Sequence, residues 1–209
     1  MKSQAVRQRL VVATGNQGKL REFRRLLEPL GLEVAPIGDV VEGFHVDETG
    51  TTFAANAALK ARAASERAGV PALADDSGLE VDALDGRPGV RSARFAGEEA
   101  TDAANNELLL KHLVDVADAA RSARFRCAIA LAEPSGEVSV VEGTCEGVIQ
   151  RAPSGTDGFG YDPLFAVPEC GGRSFAELDP AAKDRVSHRG KALRKIQDLL
   201  VARFRAQQR

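Results

Sequence analysis

Pro71-Ala72-Leu73-Ala74-Asp75-Asp76-Ser77-Gly78-Leu79-Glu80-Val81-Asp82-Ala83-Leu84 is the stretch with the densest chemistry in the chain. Its apolar opening reads as a buried strand that ends in two adjacent carboxylates, a hydroxyl and a glycine. Neighbours on an extended chain point to opposite faces, so Asp75 and Asp76 cannot both face one ligand. One is expected to enter a site, and the other to be held by backbone or a partner side chain. Gly78 lets the chain turn sharply where something must approach closely. Asp75, Asp76, Glu80 and Asp82 gather four acids within eight residues, which is costly unless a cation offsets them. A polar loop at a strand end is the plain alternative, because Asp, Ser and Gly are common there.

Working back towards the N-terminus, Leu10-Val11-Val12-Ala13 is a strand by its apolar and β-branched run. Thr14-Gly15-Asn16-Gln17-Gly18-Lys19 follows, and then a helix with Leu20, Phe23, Leu27 and Leu30 on one face. A strand, a glycine-containing turn and a helix start aim backbone N–H groups at an anion, with Lys19 as added charge. This is not a Walker loop: only two residues separate Gly15 from Gly18, and Leu20 stands where the magnesium-binding hydroxyl would be. Taken alone, the motif is better read as a simple strand-to-helix turn with Asn16 as N-cap. Leu32–Ala35 reads as the next strand. Asp47-Glu48-Thr49-Gly50 is a second acidic cluster. A helix capped by Thr51 or Thr52 then runs from Phe53 to about Arg67 and is stopped by Gly69. Asn56 and Lys60 lie one turn apart on it, as on a solvated face.

Working forward, Asp85–Gly89 is a turn, and Asn105 to Val116 is an amphipathic helix with Leu108, Leu109 and Leu113 inward. Phe125–Ala132 and Val138–Ile149 read as two strands joined by Glu133-Pro134-Ser135-Gly136, a hairpin. Such a pair among βα units implies a mixed sheet rather than a purely parallel one. Gly155-Thr156-Asp157-Gly158-Phe159-Gly160-Tyr161-Asp162-Pro163 combines close-approach glycines, two aromatics and a carboxylate, where a planar ring can rest on an aromatic face. Lys183 to Lys191 is a basic cluster opening the last helix, of the kind a solvated charge run usually explains. That cluster holds His188; His45 and His112 read as surface or packing residues.

The composition sets the outer limits. A chain of 209 residues with 44% hydrophobic and 28% charged residues has the profile of a globular protein with one substantial core. A formal net charge of -2 argues against a broad nucleic-acid or anionic-membrane surface. No apolar run approaches the roughly 20 residues that span a bilayer. Residues 1–9 read as a disordered tail rather than a signal peptide, ahead of a single domain over 10–205. Cys127, Cys145 and Cys170 lack metal-ligand or redox spacing, as expected of reduced thiols in a cytoplasm.

Five segments together resemble the inosine triphosphate pyrophosphatase family, enzymes that hydrolyse non-standard purine nucleoside triphosphates. They are Thr14-Gly15-Asn16 with Lys19; Glu48-Thr49-Gly50 with Phe53, Asn56 and Lys60; Ala74 to Leu79; Phe159 to Pro163; and Ser187-His188-Arg189-Gly190. They follow the family's order from Leu10 to the last helix. The resemblance implies an α/β fold with a mixed central sheet, flanking helices and two lobes around a cleft. It implies a homodimer, and magnesium-dependent release of pyrophosphate from a purine triphosphate. It assigns Thr14, Gly15, Asn16, Gln17, Gly18 and Lys19 to the triphosphate, and Asp76 to catalysis and magnesium binding. Ser77 would touch substrate, and Phe159, Gly160, Tyr161 and Asp162 would line the base pocket. Lys183, His188 and Arg189 would bind base or phosphate, and either Asp47 or Glu48 would join the metal site. Asp157, where the family usually has glycine, and Arg91, where it often has an apolar or aromatic residue, depart from the pattern.

The chemistry of the residues is consistent with this. Cleavage between α- and β-phosphates needs a positioned water, a base, and cations to offset charge on pyrophosphate. A second magnesium nucleotide pyrophosphatase of different base specificity, Maf-like, is the rival enzyme. A non-catalytic nucleotide-binding regulator is the rival from another class.

Overall fold

The computed structural model describes residues 9–207, so the expected tail, apart from Arg9, lies outside the described residues. Strands β1 (Arg9–Val12), β2 (Glu33–Pro36), β3 (Ala72–Val81), β4 (Ser122–Ala132), β5 (Val138–Ile149), β6 (Phe165–Val167) and β7 (Arg173–Ser174) form one sheet in the order β2-β1-β3-β4-β5-β6-β7. β1 runs parallel to β2 and β3, whereas β5–β6 and β6–β7 are antiparallel. The expected mixed sheet is therefore present. Helices α1 (Gln17–Leu27), α2 (Phe53–Ala68), α3 (Asp102–His112), α4 (Pro180–Val186) and α5 (His188–Gln207) complete the framework. None of the described helices is long and apolar enough to cross a membrane.

The local rules explain most of these boundaries. Thr52 caps α2 by accepting from the Ala55 N–H, and Gly69 ends it with a φ of 67°. Thr101 caps α3 in the same way, so this helix starts and stops earlier than its leucine pattern suggests. The largest departure concerns β3, which does not end at the two aspartates but continues through Gly78 to Val81. Leu79 and Val81 are fully buried, so continued burial extends the strand through its polar centre.

The chain divides into two compact units. One comprises the described residues up to Asp75, the hairpin segment Ala128–Val141 and the helix from Leu193 on. Its buried residues include Leu10, Val11, Phe23, Leu27, Leu73 and Ile129. α5 is tied to α1 within it, where the Gln197 amide donates to the Leu26 carbonyl.

The other unit comprises Asp76–Cys127 and Glu142–Ala192. Its core holds Leu79, Leu109, Leu113, Phe125, Ile149, Tyr161, Phe165 and Phe175. Arg121 is 3% exposed and lies at the end of this core. Its guanidinium donates to the carbonyls of Leu113 (2.6 Å), Ile149 (2.8 Å) and Gln150 (3.0 Å), closing the end of α3 onto the end of β5. Burial pulls its pKa below the usual value, but a guanidinium bound to three carbonyls satisfies most of its donors.

Candidate active site

In the first unit the turn after β1 leads straight into α1. Asn16 caps that helix: its side-chain oxygen accepts from the Lys19 N–H (3.1 Å), while its own N–H donates to Thr14 Oγ1 (3.1 Å). Gly15, Asn16 and Gln17 are exposed, Thr14 and Lys19 are half-buried, and Gly18 is buried. The cap and the anion-facing turn are therefore compatible, since capping uses one N–H of the first turn. Lys19 Nζ lies 3.0 Å from the Asp75 carboxylate, which is 1% exposed. Asp75 is thus the member of the pair held by a partner side chain.

The acidic turn before α2 also separates into two environments. Asp47 is exposed and meets the His45 ring at 3.0 Å. The Glu48 side chain is 26% exposed and pairs with Lys60. Asn56 is 1% exposed, and its side-chain oxygen accepts from the Gly50 N–H at 2.8 Å. The solvated face expected for Asn56 and Lys60 is therefore wrong. Both side chains reach back to the acidic turn and hold it, a contact that helical periodicity cannot reveal.

In the second unit, Asp76 is 6% exposed and its Oδ1 accepts from the Ser77 N–H at 3.0 Å. Arg189 Nη2 donates to Ser77 Oγ at 2.7 Å. The Arg189 guanidinium also lies over the Phe159 ring at 5.6 Å, and Lys183 Nζ lies over the same ring at 4.6 Å. Asp162 organises the loop from within: its Oδ2 accepts from the Phe159 N–H (2.8 Å) and from Lys183 Nζ (2.5 Å). Ser77, Phe159, Asp162, Lys183 and Arg189, separated by over a hundred residues in sequence, thus form one connected group.

The basic cluster is not a solvated run opening one helix. Lys183 and Asp184 belong to α4 and His188 and Arg189 to α5, with extended Ser187 between them. Lys183, Asp184, Ser187, His188 and Arg189 are all buried. Gly190 makes this break possible, because a Cβ there would sit 1.8 Å from the Asp184 carbonyl oxygen. His188 stacks on Phe125 (centroids 4.6 Å apart, planes 10° apart) and approaches Phe175 at 6.3 Å. Stacks of this kind contribute about 0.5–1.5 kcal/mol beyond area burial. His188 therefore seats the start of α5 in an aromatic core.

Two further contacts lock the loop. The Tyr161 hydroxyl donates to the Ser92 carbonyl at 2.8 Å, and Ser92 Oγ accepts from the Leu79 N–H at 2.8 Å. Burial and the Asp102 charge push the Tyr161 pKa up, keeping that hydroxyl a donor. Ser92 has no sequence signature; its role appears only when Tyr161 is brought beside it. Of the two departures from the family pattern, Asp157 is exposed, and Arg91 meets Glu98 at 3.4 Å on the surface.

The cation expected to offset the four acids is supplied largely by the protein. Lys19 meets Asp75, Arg124 meets Asp82 at 2.9 Å, and Arg126 meets Glu80 at 3.6 Å. Among the described residues no group of three or more His, Cys, Asp or Glu side chains is arranged to hold a metal.

Relatives and solved structures match the chain over most of its length. The chain is 56% identical to the dITP/XTP pyrophosphatase of Desulforamulus reducens over 192 residues, covering 92% of this chain and 95% of that one. It is 53% identical to the enzyme of the same name from Geobacillus kaustophilus, over 90% of this chain and 92% of that one. A HAM1 protein structure from Coxiella burnetii superimposes with a TM-score of 0.84 at 43% identity, covering 93% and 99% of the two chains. The nucleoside-triphosphatase / dITP/XTP pyrophosphatase structure from Mycobacterium abscessus gives 0.73 at 50% identity, covering 90% and 98%. The Ham1 family model matches residues 10–199, a span holding all five resembling segments and every side chain placed above, and the chain belongs to that family.

Proposed function

We propose that the chain hydrolyses non-standard purine nucleoside triphosphates (ITP, dITP and XTP) between the α- and β-phosphates, releasing the nucleoside monophosphate and pyrophosphate. Relatives named dITP/XTP pyrophosphatase, about half identical over nine-tenths of the chain, support the reaction class. The observation carrying the base preference is the pair of buried cations, Lys183 and Arg189, over the Phe159 ring. Both have donors only, so they suit the 6-oxygen of hypoxanthine or xanthine and oppose the 6-amino group of adenine.

Within this reading the exposed turn from Thr14 to Gln17 and the first turn of α1 bind the triphosphate, and a phosphate at Lys19 shares its ammonium with Asp75. Asp76 accepts the proton of the attacking water. Asp76 is the metal-binding carboxylate we assign in the second unit, and in the first we assign Glu48 rather than Asp47, which is tied to His45 in solvent. Nucleotide pyrophosphatases of the family are generally divalent-metal dependent, and magnesium is the ion we assign. When bound it offsets charge on the leaving pyrophosphate and acidifies a bound water. We also assign a homodimer, which light scattering at twice the chain mass would support.

The test is a panel of nucleoside triphosphates assayed for both pyrophosphate and orthophosphate. Pyrophosphate and monophosphate from ITP, dITP and XTP, with little turnover of ATP, are expected. Orthophosphate with a diphosphate product would place the cut at the wrong bond.

A further inference from the structure

The loop that carries Phe159 is held from outside as well as from within. α3 lays two side chains one turn apart against Gly160, the residue between the two aromatics. Asp102 Oδ2 accepts from the Gly160 N–H at 2.6 Å, and Asn106 Nδ2 donates to the Gly160 carbonyl at 2.9 Å. One helix face thereby satisfies both backbone groups of a single residue, which sits at a φ of 62°. The Asn106 amide adopts this orientation although its buried Oδ1 has no hydrogen-bond partner among the described residues. An amide that leaves its acceptor unused in order to present its donor is oriented for the Gly160 carbonyl.

We infer that Asp102 and Asn106 are positioning residues for base selection, acting through Gly160 to fix the Phe159 ring beneath Lys183 and Arg189. This rests on the purine triphosphatase reading above. Asp162 holds the N–H of Phe159 and the α3 pair holds the next residue, so the ring is pinned on both sides of its own backbone. Without the outer grip, Gly160 is free to leave its left-handed conformation and the ring to turn from under the two cations. The donors of Lys183 and Arg189 then lose their fixed direction towards a 6-oxygen. Both α3 side chains bind the backbone of the loop that carries Phe159, so the cost falls on base recognition.

The experiment compares Asp102→Ala, Asn106→Ala and Asp102→Asn with the wild-type chain on ITP and ATP. For the two alanine variants the KM for ITP is expected to rise about tenfold, the scale of one buried polar contact in a binding site. Their kcat at saturation should stay near wild type, and the ratio of kcat/KM between ITP and ATP should fall by a similar factor. Asp102→Asn keeps an oxygen that accepts from the Gly160 N–H and should restore most of the ratio. Thermal melting identifies any variant that merely fails to fold; for such a variant, Asn106→Ser at the same contact carries the same expectation. Equal loss on both nucleotides, or no loss on either, overturns the inference. A wild-type chain that releases no pyrophosphate from ITP would instead overturn the functional reading beneath it, so the two failures are distinguishable.

Discussion

Asp75 and Asp76 are the same residue type joined by one peptide bond, yet their surroundings set them different tasks. Asp75 is paired with Lys19, whereas the Asp76 carboxylate accepts from the Ser77 N–H. A comparable division separates Asp47, in solvent beside His45, from Glu48, drawn inward by Lys60. Single amide substitutions should sort these roles. Asp76→Asn is expected to lower kcat by roughly 10²–10⁴-fold, the range for a general base. Glu48→Gln should raise the magnesium concentration needed for half-maximal rate, and Asp47→Asn should leave both quantities near wild type. An Asp47→Asn variant with the larger magnesium requirement would reverse the assignment. Period-two alternation makes the division between Asp75 and Asp76 legible in the sequence. The choice between Asp47 and Glu48 is not legible, because it depends on which side chain a lysine twelve residues away can reach.

At the scale of elements, β1, β5 and the caps of α2 follow from local sequence, while β3 and the α4–α5 junction do not. Burial extends β3 through polar residues, and a close contact between Gly190 and the Asp184 carbonyl divides what reads as one helix. The short strands β6 and β7 carry too few residues for a periodic signal. Charges across β3, β4 and β5 in the second unit add a testable contribution. The Arg124 guanidinium holds the Asp82 carboxyl below its ordinary 3.8, helped by the Ser122 hydroxyl. A depressed carboxyl pKa stabilises the fold at pH above the unfolded value and loses that contribution as pH falls through the folded one. The Asp82 side chain is 43% exposed, so screening limits the effect to about 0.2–1 kcal/mol. Asp82→Asn should therefore be less stable than wild type by that amount at pH 7 in urea unfolding. The gap should close as the pH is taken below 3.8; an equal gap at both ends would assign the loss to packing.

For the molecule as a whole, the near-neutral balance of 28 basic and 30 acidic residues conceals local concentrations of charge. Binding free energy appears directly as stability when a ligand binds only the folded chain. Inosine monophosphate with magnesium at a hundred times its dissociation constant should add about 2.7 kcal/mol. For a chain of this size that is a melting-temperature rise of roughly 5–10 °C. Adenosine monophosphate at the same concentration should give a smaller rise, and equal shifts from the two would count against base reading by Lys183 and Arg189. Such a comparison needs no turnover, so it isolates recognition from chemistry.

The alternating faces of β3 also restrict how the gene can change. Deleting or inserting one codon upstream of Asp75 within the strand would turn every following side chain to the other face. The acid now facing Lys19 and its neighbour would exchange positions, and Leu79 and Val81 would leave the core. A change of two codons preserves the alternation and costs only a shift along the strand. Length variation in this segment is therefore expected in steps of two or not at all, which a library of single- and double-codon deletions selected for activity can measure.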